Sequence, residues 1–160
     1  NIQQLVSDSD AFDFLRNELR VSNDTFFKQL LIKCSVDVTL LEGKGLENNA
    51  NGLLNLAFIY GNPSKFILLL NAGCNPNNKN NFGIGDEPLL VSCLKYLKFE
   101  KSSEEREKYY QYIDALLSHG ADMNLCNKSG ISAINLVNDS EDERIKQIFS
   151  NHSSLGNQYR

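Results

Sequence analysis

One phrase occurs twice in this chain. Leu69-Leu70-x-x-Gly73-Cys74-Asn75-x-Asn77 and Leu116-Leu117-x-x-Gly120-Ala121-Asp122-x-Asn124 carry the same residues at the same spacing. A phrase repeated in one chain points to a stacked architecture, in which each unit needs a neighbour to bury its apolar sides. The signals around the first copy are those of a short helix. Asn62 is placed to cap its start, and Pro63 sits where a missing N–H costs nothing. Phe66, Ile67, Leu69 and Leu70 recur at helical spacing. Gly73 supplies the positive φ that ends the helix, and Asn75-Pro76-Asn77 turns the chain away.

The rest of the chain reads as further helices in pairs. Residues 10–20 place Phe12, Leu15 and Leu19 on one face, with Asp10 able to cap. A second helix over Asn23–Lys33 carries Phe26, Phe27, Leu30 and Leu31. It closes on Leu30-Leu31-x-x-Cys34, with cysteine where a helix-ending glycine is expected. This pair reads as a degenerate first unit, since a terminal unit faces solvent on one side. Residues 35–51, with Gly43, Gly45, Asn48, Asn49 and Asn51, read as a loop. Leu53–Ile59 is the first helix of the next unit. Asn78–Asp86 reads as a hairpin-type turn, and Pro88 as the first position of a helix that runs past Lys95 to Leu97. Lys98–Lys108 is a charged insertion before a helix over Tyr109–Ser118. Asn127-Lys128-Ser129-Gly130 is a turn, followed by helices over Ile131–Val137 and Asp142–Phe149. Residues 150–160 read as a polar, frayed tail.

These slots make the chain resemble the ankyrin repeat family. Its unit is a turn, a helix opened by Thr-Pro-Leu-His, a second helix and a Leu-Leu-x-x-Gly-Ala-Asp-x-Asn close, with a period of about 33 residues. The opening slot here holds Gly52-Leu53-Leu54-Asn55, Glu87-Pro88-Leu89-Leu90 and Ser132-Ala133-Ile134-Asn135. Ser132 is placed to cap; Gly52 and Glu87 are poorer caps than threonine. Asn55 and Asn135 replace the family's histidine and remain able to bond between turns; Leu90 does not. Gly73 to Gly120 is 47 residues, and the excess over the period falls in the widened turn near Gly83 and the insertion near Ser102. The resemblance implies an all-α ankyrin-repeat solenoid of stacked antiparallel helix pairs with hairpin-like turns. Its expected parts are a divergent capping unit over 1–49, three repeats over about 50–78, 79–126 and 127–149, and a tail over 150–160.

Composition bounds the function. Apolar residues at 41% and charged residues at 22% fit a globular chain, and 160 residues suffice for one sizeable core. A net charge of −4 disfavours whole-surface attraction to nucleic acid or anionic lipid. No apolar run approaches the roughly 20 residues of a membrane span, and no signal peptide is visible. The chain opens on Asn1 rather than Met, which leaves open that it is a fragment of a longer protein. Cys34, Cys74, Cys93 and Cys126 lack zinc-site spacing and read as reduced, mostly packed thiols of a cytoplasmic protein. No phosphate-binding glycine loop is present, and Gly83-Ile84-Gly85 is explained by a turn. The expectation is no cofactor and no metal.

Catalysis requires convergent groups, and the chain has two histidines. His119, before the helix-ending Gly120, reads as structural or solvent-facing; His152 lies in the tail with no role. A Cys93–His119 nucleophile pair is the enzymatic alternative, a small cysteine hydrolase. Against it, Cys93 falls where ankyrin repeats pack a small residue between helices. The Glu104–Lys108 run reads as a solvated face with i,i+4 pairs. What remains is surface. The resemblance implies a concave face of hairpin tips and first-helix sides that grips a protein partner. By register its residues are Asn49, Ile59, Tyr60, Asn81, Phe82, Ile84, Asp86, Lys95, Tyr96, Ser129 and Ile131. The apolar and aromatic ones carry most of the expected interface energy. Tyr109, Tyr110 and Tyr112 form a possible second patch, with Tyr112 and Tyr109 expected to pack inward. The expected role is a non-catalytic scaffold, adaptor or host-targeting effector domain, monomeric by itself. Effector ankyrin proteins of intracellular bacteria belong to this class, which extends the expected location to a host cell. The alternative is a targeting domain of a longer enzyme.

Overall fold

The computed structural model describes residues 7–33, 38–42, 52–80 and 86–158. Among them the chain is mostly helical, with nine helices and one two-stranded hairpin, so the expected all-α class holds. The chain divides into two compact units, residues 1–75 and 76–160. No helix among the described residues is long and apolar enough to cross a membrane.

The first unit contains α1 (Asp8–Val21), α2 (Asp24–Lys33), α3 (Val38–Leu41), α4 (Leu53–Ile59) and α5 (Pro63–Asn71). Ser7, not Asp10, caps α1: its Oγ accepts the Asp10 N–H at 3.2 Å and donates to the Asp10 carboxylate at 2.9 Å. Asp10 therefore belongs to the first turn, where its charge suits the positive end of the helix. Ala11, Phe12, Leu15 and Leu19 are buried, as their spacing requires. Asn23 caps α2 by accepting the Phe26 N–H at 2.8 Å. Phe27 is buried, whereas Phe26, expected on the apolar side, is exposed. α4 and α5 pack on each other, α1 packs on α4 and α2 on α5.

Two features of this unit were not expected. The stretch read as a loop over 35–51 contains the single turn α3, which packs on α1 and buries Leu40 and Leu41. The chain after α3 also explains Gly52. A Cβ there would lie 2.8 Å from the Glu42 Cα, so no larger residue, threonine included, fits that cap position. The second feature is Lys65 of α5, whose side chain is fully buried. Its ammonium donates to the backbone oxygens of Leu19 at 3.0 Å, Glu18 at 3.4 Å and Ser22. Three donors meet three carbonyls at the negative end of α1. The Phe27 ring lies 5.6 Å from the same nitrogen. Burial lowers the Lys65 pKa from 10.5, and Asp24 and Glu18 oppose that shift.

The second unit contains β1 (Lys79–Asn80), β2 (Glu87–Pro88), α6 (Leu89–Phe99), α7 (Ser103–Ser118), α8 (Ala133–Asn138) and α9 (Glu143–Gln158). The strands pair antiparallel, Lys79 with Pro88 and Asn80 with Glu87. Pro88 is thereby held extended (φ −56°, ψ 139°) and precedes α6 instead of opening it. α6 packs on α7 and α8, and α9 packs on α7 and α8.

The expected insertion is helical. α6 extends to Phe99 and α7 begins at Ser103, leaving three residues between them. The Glu104–Lys108 run is not simply a solvated face. Arg106 donates to the carbonyls of Leu97 and Glu100 at 3.0 and 3.1 Å, to Tyr110 Oη at 3.0 Å and to Asp142 at 2.7 Å. Tyr110 Oη–H donates to the same Asp142 oxygen at 2.6 Å. The other Asp142 oxygen caps α9 through the N–H groups of Arg144 and Ile145. Arg144 holds Glu107 bidentately at 2.7 and 2.9 Å, with its guanidinium 4.2 Å from the Tyr110 ring centroid. Two helix ends and a hairpin partner are therefore joined through one guanidinium.

The tail expected to fray is helix. α9 continues to Gln158, and His152 contacts Asp114 of α7 at 2.9 Å, which gives it a structural role. Ser132 caps α8 as expected. Asn135 bonds back to it in a capping box rather than to a neighbouring turn.

The repeated phrase has one geometry. Gly73 (φ 103°) and Gly120 (φ 90°) follow the last helical turn of α5 and α7. The N–H groups of Gly73 and Cys74 donate to Leu70 and Leu69 oxygens at 3.0 and 3.2 Å. Those of Gly120 and Ala121 donate to Leu117 and Leu116 at 3.1 and 3.0 Å. These paired bonds satisfy carbonyls that the helix end leaves open. Both copies then run through the same succession of turn and irregular residues as far as Lys79 and Cys126, where each enters an antiparallel pairing, with Pro88 and with Ser132. Gly61 (φ 71°) closes α4 in the same way, through Phe58 and Ala57 oxygens.

Candidate functional site

In the second unit the two turns that precede α6 and α8 are tied together by Glu87. One carboxylate oxygen accepts from Lys95 Nζ at 2.5 Å and Asn127 Nδ2 at 3.2 Å; the other accepts from Ser92 Oγ at 2.7 Å. Burial alone would raise the Glu87 pKa. The hydrogen bonds from Lys95, Ser92 and Asn127 outweigh it and hold the carboxyl below its ordinary 4.5. Glu87, expected only as a poor helix cap, is instead the hub of the turns.

Asn127 shapes the second turn. Its Oδ1 accepts the N–H groups of Ser129 and Ile131, both at 3.0 Å, and its backbone N–H donates to Ile131 O at 3.0 Å. Asp86 approaches Lys128 at 3.5 Å across the same two turns, with Asp86 in the left-handed region (φ 54°). Asp86, Lys128 and Ser129 are exposed and Ile131 is half-buried. Lys95, expected on the partner-binding face, is half-buried and paired with Glu87.

The exposed side of α6 carries Tyr96, 54% exposed and stacked on Tyr109 with ring centroids 6.3 Å apart. Phe99, one turn further, is 76% exposed and was not among the expected site residues. Its signal in the sequence was masked by the charged stretch around it. The proposed tyrosine patch on α7 does not exist as a surface. Tyr110 and Tyr112 are buried, and Tyr109 lies half-buried against Tyr96 and Tyr112.

In the first unit, Ile59 and Tyr60 end α4 and are both exposed, with the Arg20 guanidinium 5.5 Å from the Tyr60 ring centroid. Asn49, Asn81, Phe82 and Ile84 lie outside the described residues, as does Cys34.

The two buried thiols, Cys74 and Cys93, are placed against nucleophilic chemistry. Cys93 is fully buried, and desolvation pushes its pKa well above 9.0; Cys74 is pushed up to about 12, with Glu42 adding to burial. A nucleophile needs the opposite shift. His119 directs Nδ1 to the Ala115 carbonyl of its own helix at 2.8 Å. Cys126 is exposed. Among the described residues no group of three His, Cys, Asp or Glu side chains is placed to hold a metal ion. The chain matches no protein-family model, and no curated protein matches it.

Proposed function

We propose that this chain is an ankyrin-type repeat module whose function is non-catalytic binding of another protein. One observation carries the reading. The phrase from Leu69 to Lys79 and the phrase from Leu116 to Cys126 share the bonds that close their helices and the same succession of turns, 47 residues apart, each delivering the chain into a small antiparallel pairing before a helix. A turn held by its own hydrogen bonds leaves its outer side chains free for a partner, which favours preorganised binding. The binding groups of this reading are Asp86, Ser129, Ile131 and Tyr96 in the second unit and Ile59 and Tyr60 in the first. Asn81, Phe82 and Ile84 join them on sequence grounds, with Lys95 in support through Glu87. The buried, high-pKa Cys93 speaks against hydrolysis. A cytosolic location, without membrane insertion, accompanies the reading.

The test is capture of a protein partner by the immobilised chain, compared with Phe82→Ala and, separately, Tyr60→Ala. Loss of capture with an unchanged melting temperature supports the reading. Capture unchanged in both variants while melting falls would assign both side chains to the core and remove the site.

A further inference from the structure

The last turn of α6 has no counterpart in α4 or α8. α6 spans 11 residues, against 7 in α4 and 6 in α8. The extra turn is braced. Arg106 bonds the Leu97 and Glu100 carbonyls, Ser102 caps α7, and Glu100 Oε1 accepts the N–H groups of Lys101 and Ser102 at 2.9 and 3.0 Å. A rigid platform therefore holds Tyr96 and Phe99 in solvent at positions i and i+3 of one helix face. Phe99 is the most exposed large apolar side chain among the described residues.

The charges around it define the occupant. Lys98 lies with its ammonium 5.9 Å from the Phe99 ring centroid. Neither Lys98 nor Lys101 forms an ion pair among the described residues, in a chain whose net charge is −4. Of the carboxylates in this stretch, Glu100 accepts from two backbone amides, Glu105 pairs with Lys108 and Glu107 with Arg144, while Glu104 is exposed.

The geometry points to a docking surface at the end of α6 for an acidic peptide segment of a protein partner that carries a large apolar side chain. Phe99 and Tyr96 cover the apolar anchor, and Lys98 and Lys101 meet flanking carboxylates. This rests on the protein-binding reading above and names the partner's chemistry. A second copy of the chain suits the face less well, because a two-fold contact would oppose its lysines to each other. An anionic membrane suits it less well, because two lysines fall short of the clusters of about four to eight basic residues that such surfaces recruit.

The probe is a random peptide library displayed on phage, selected on the full chain, with enriched peptides resynthesised and measured by fluorescence anisotropy. The expected peptides are rich in Asp and Glu around an aromatic residue or leucine. Phe99→Ala, and Lys98→Glu with Lys101→Glu, each weaken binding by about tenfold or more without moving the melting temperature. Added salt weakens the wild-type complex. Enriched peptides that are not acidic, or that bind both variants like wild type, overturn the inference while leaving the protein-binding reading to the capture experiment. The absence of any enriched peptide overturns it as well. Self-association by sedimentation velocity, or cosedimentation with phosphatidylserine vesicles, would also overturn it if abolished by Phe99→Ala, in favour of a second copy or a membrane.

Discussion

At the scale of single residues, the side chains that matter most are those whose environment contradicts their type. Lys65 is a buried cation, and its partners are three backbone oxygens rather than a carboxylate. Replacing it with methionine keeps the stem and removes the donors, leaving the end of α1 open. We expect a loss of about 2–4 kcal/mol in urea unfolding. Nothing in the spacing of Pro63–Asn71 distinguished Lys65 from a solvated lysine, because its acceptors lie more than forty residues away. Glu87 is the converse case, a carboxylate with three donors. Its pKa is held below 4.5, so its contribution to stability is present above that pH and is lost as pH falls through the lower native value. Glu87→Gln should be less stable than wild type at neutral pH and should lose less stability between neutral pH and acid. Equal acid slopes in chemical denaturation would contradict this. The thiols give a third outcome. Of the three described cysteines, Cys126 should react with iodoacetamide in the native protein, while Cys74 and Cys93 react only after unfolding, as read by peptide mass mapping.

At the scale of elements, helix existence was legible and helix length was not. α4 and α5 were readable to within a residue because apolar spacing, an Asn cap, Pro63 and the helix-ending glycines all agree locally. The turn before α6 and the close of α7 at Gly120 were readable for the same reason. α3, the start of α7 and the end of α9 were missed. Their helicity comes from tertiary partners: α3 packs on α1, Arg106 and Glu107 join α7 to α9, and His152 joins α9 to α7. The candidate site was legible only in part. Turn residues such as Asp86 and Ser129 followed from register. Lys95 did not, because its partner Glu87 looked like a cap, and Phe99 did not, because a charged run concealed a helix. Arg106→Met removes four hydrogen bonds among three elements and should cost about 3–5 kcal/mol, measured by thermal unfolding. A change within error of zero would show that this junction does not hold α7.

At the scale of the whole molecule, the ankyrin-type reading proposed above treats the chain as helix pairs whose closes are interchangeable. A unit of this kind depends on its neighbours for cover but on its own residues for its turn. The most direct measurement is an exchange of one close for the other. Residues 118–123 (Ser-His-Gly-Ala-Asp-Met) are replaced by the sequence of residues 71–76 (Asn-Ala-Gly-Cys-Asn-Pro), and thermal unfolding is followed by circular dichroism. The account predicts the same helical signal and a single cooperative transition within about 5 °C of wild type. Loss of the cooperative transition would contradict it.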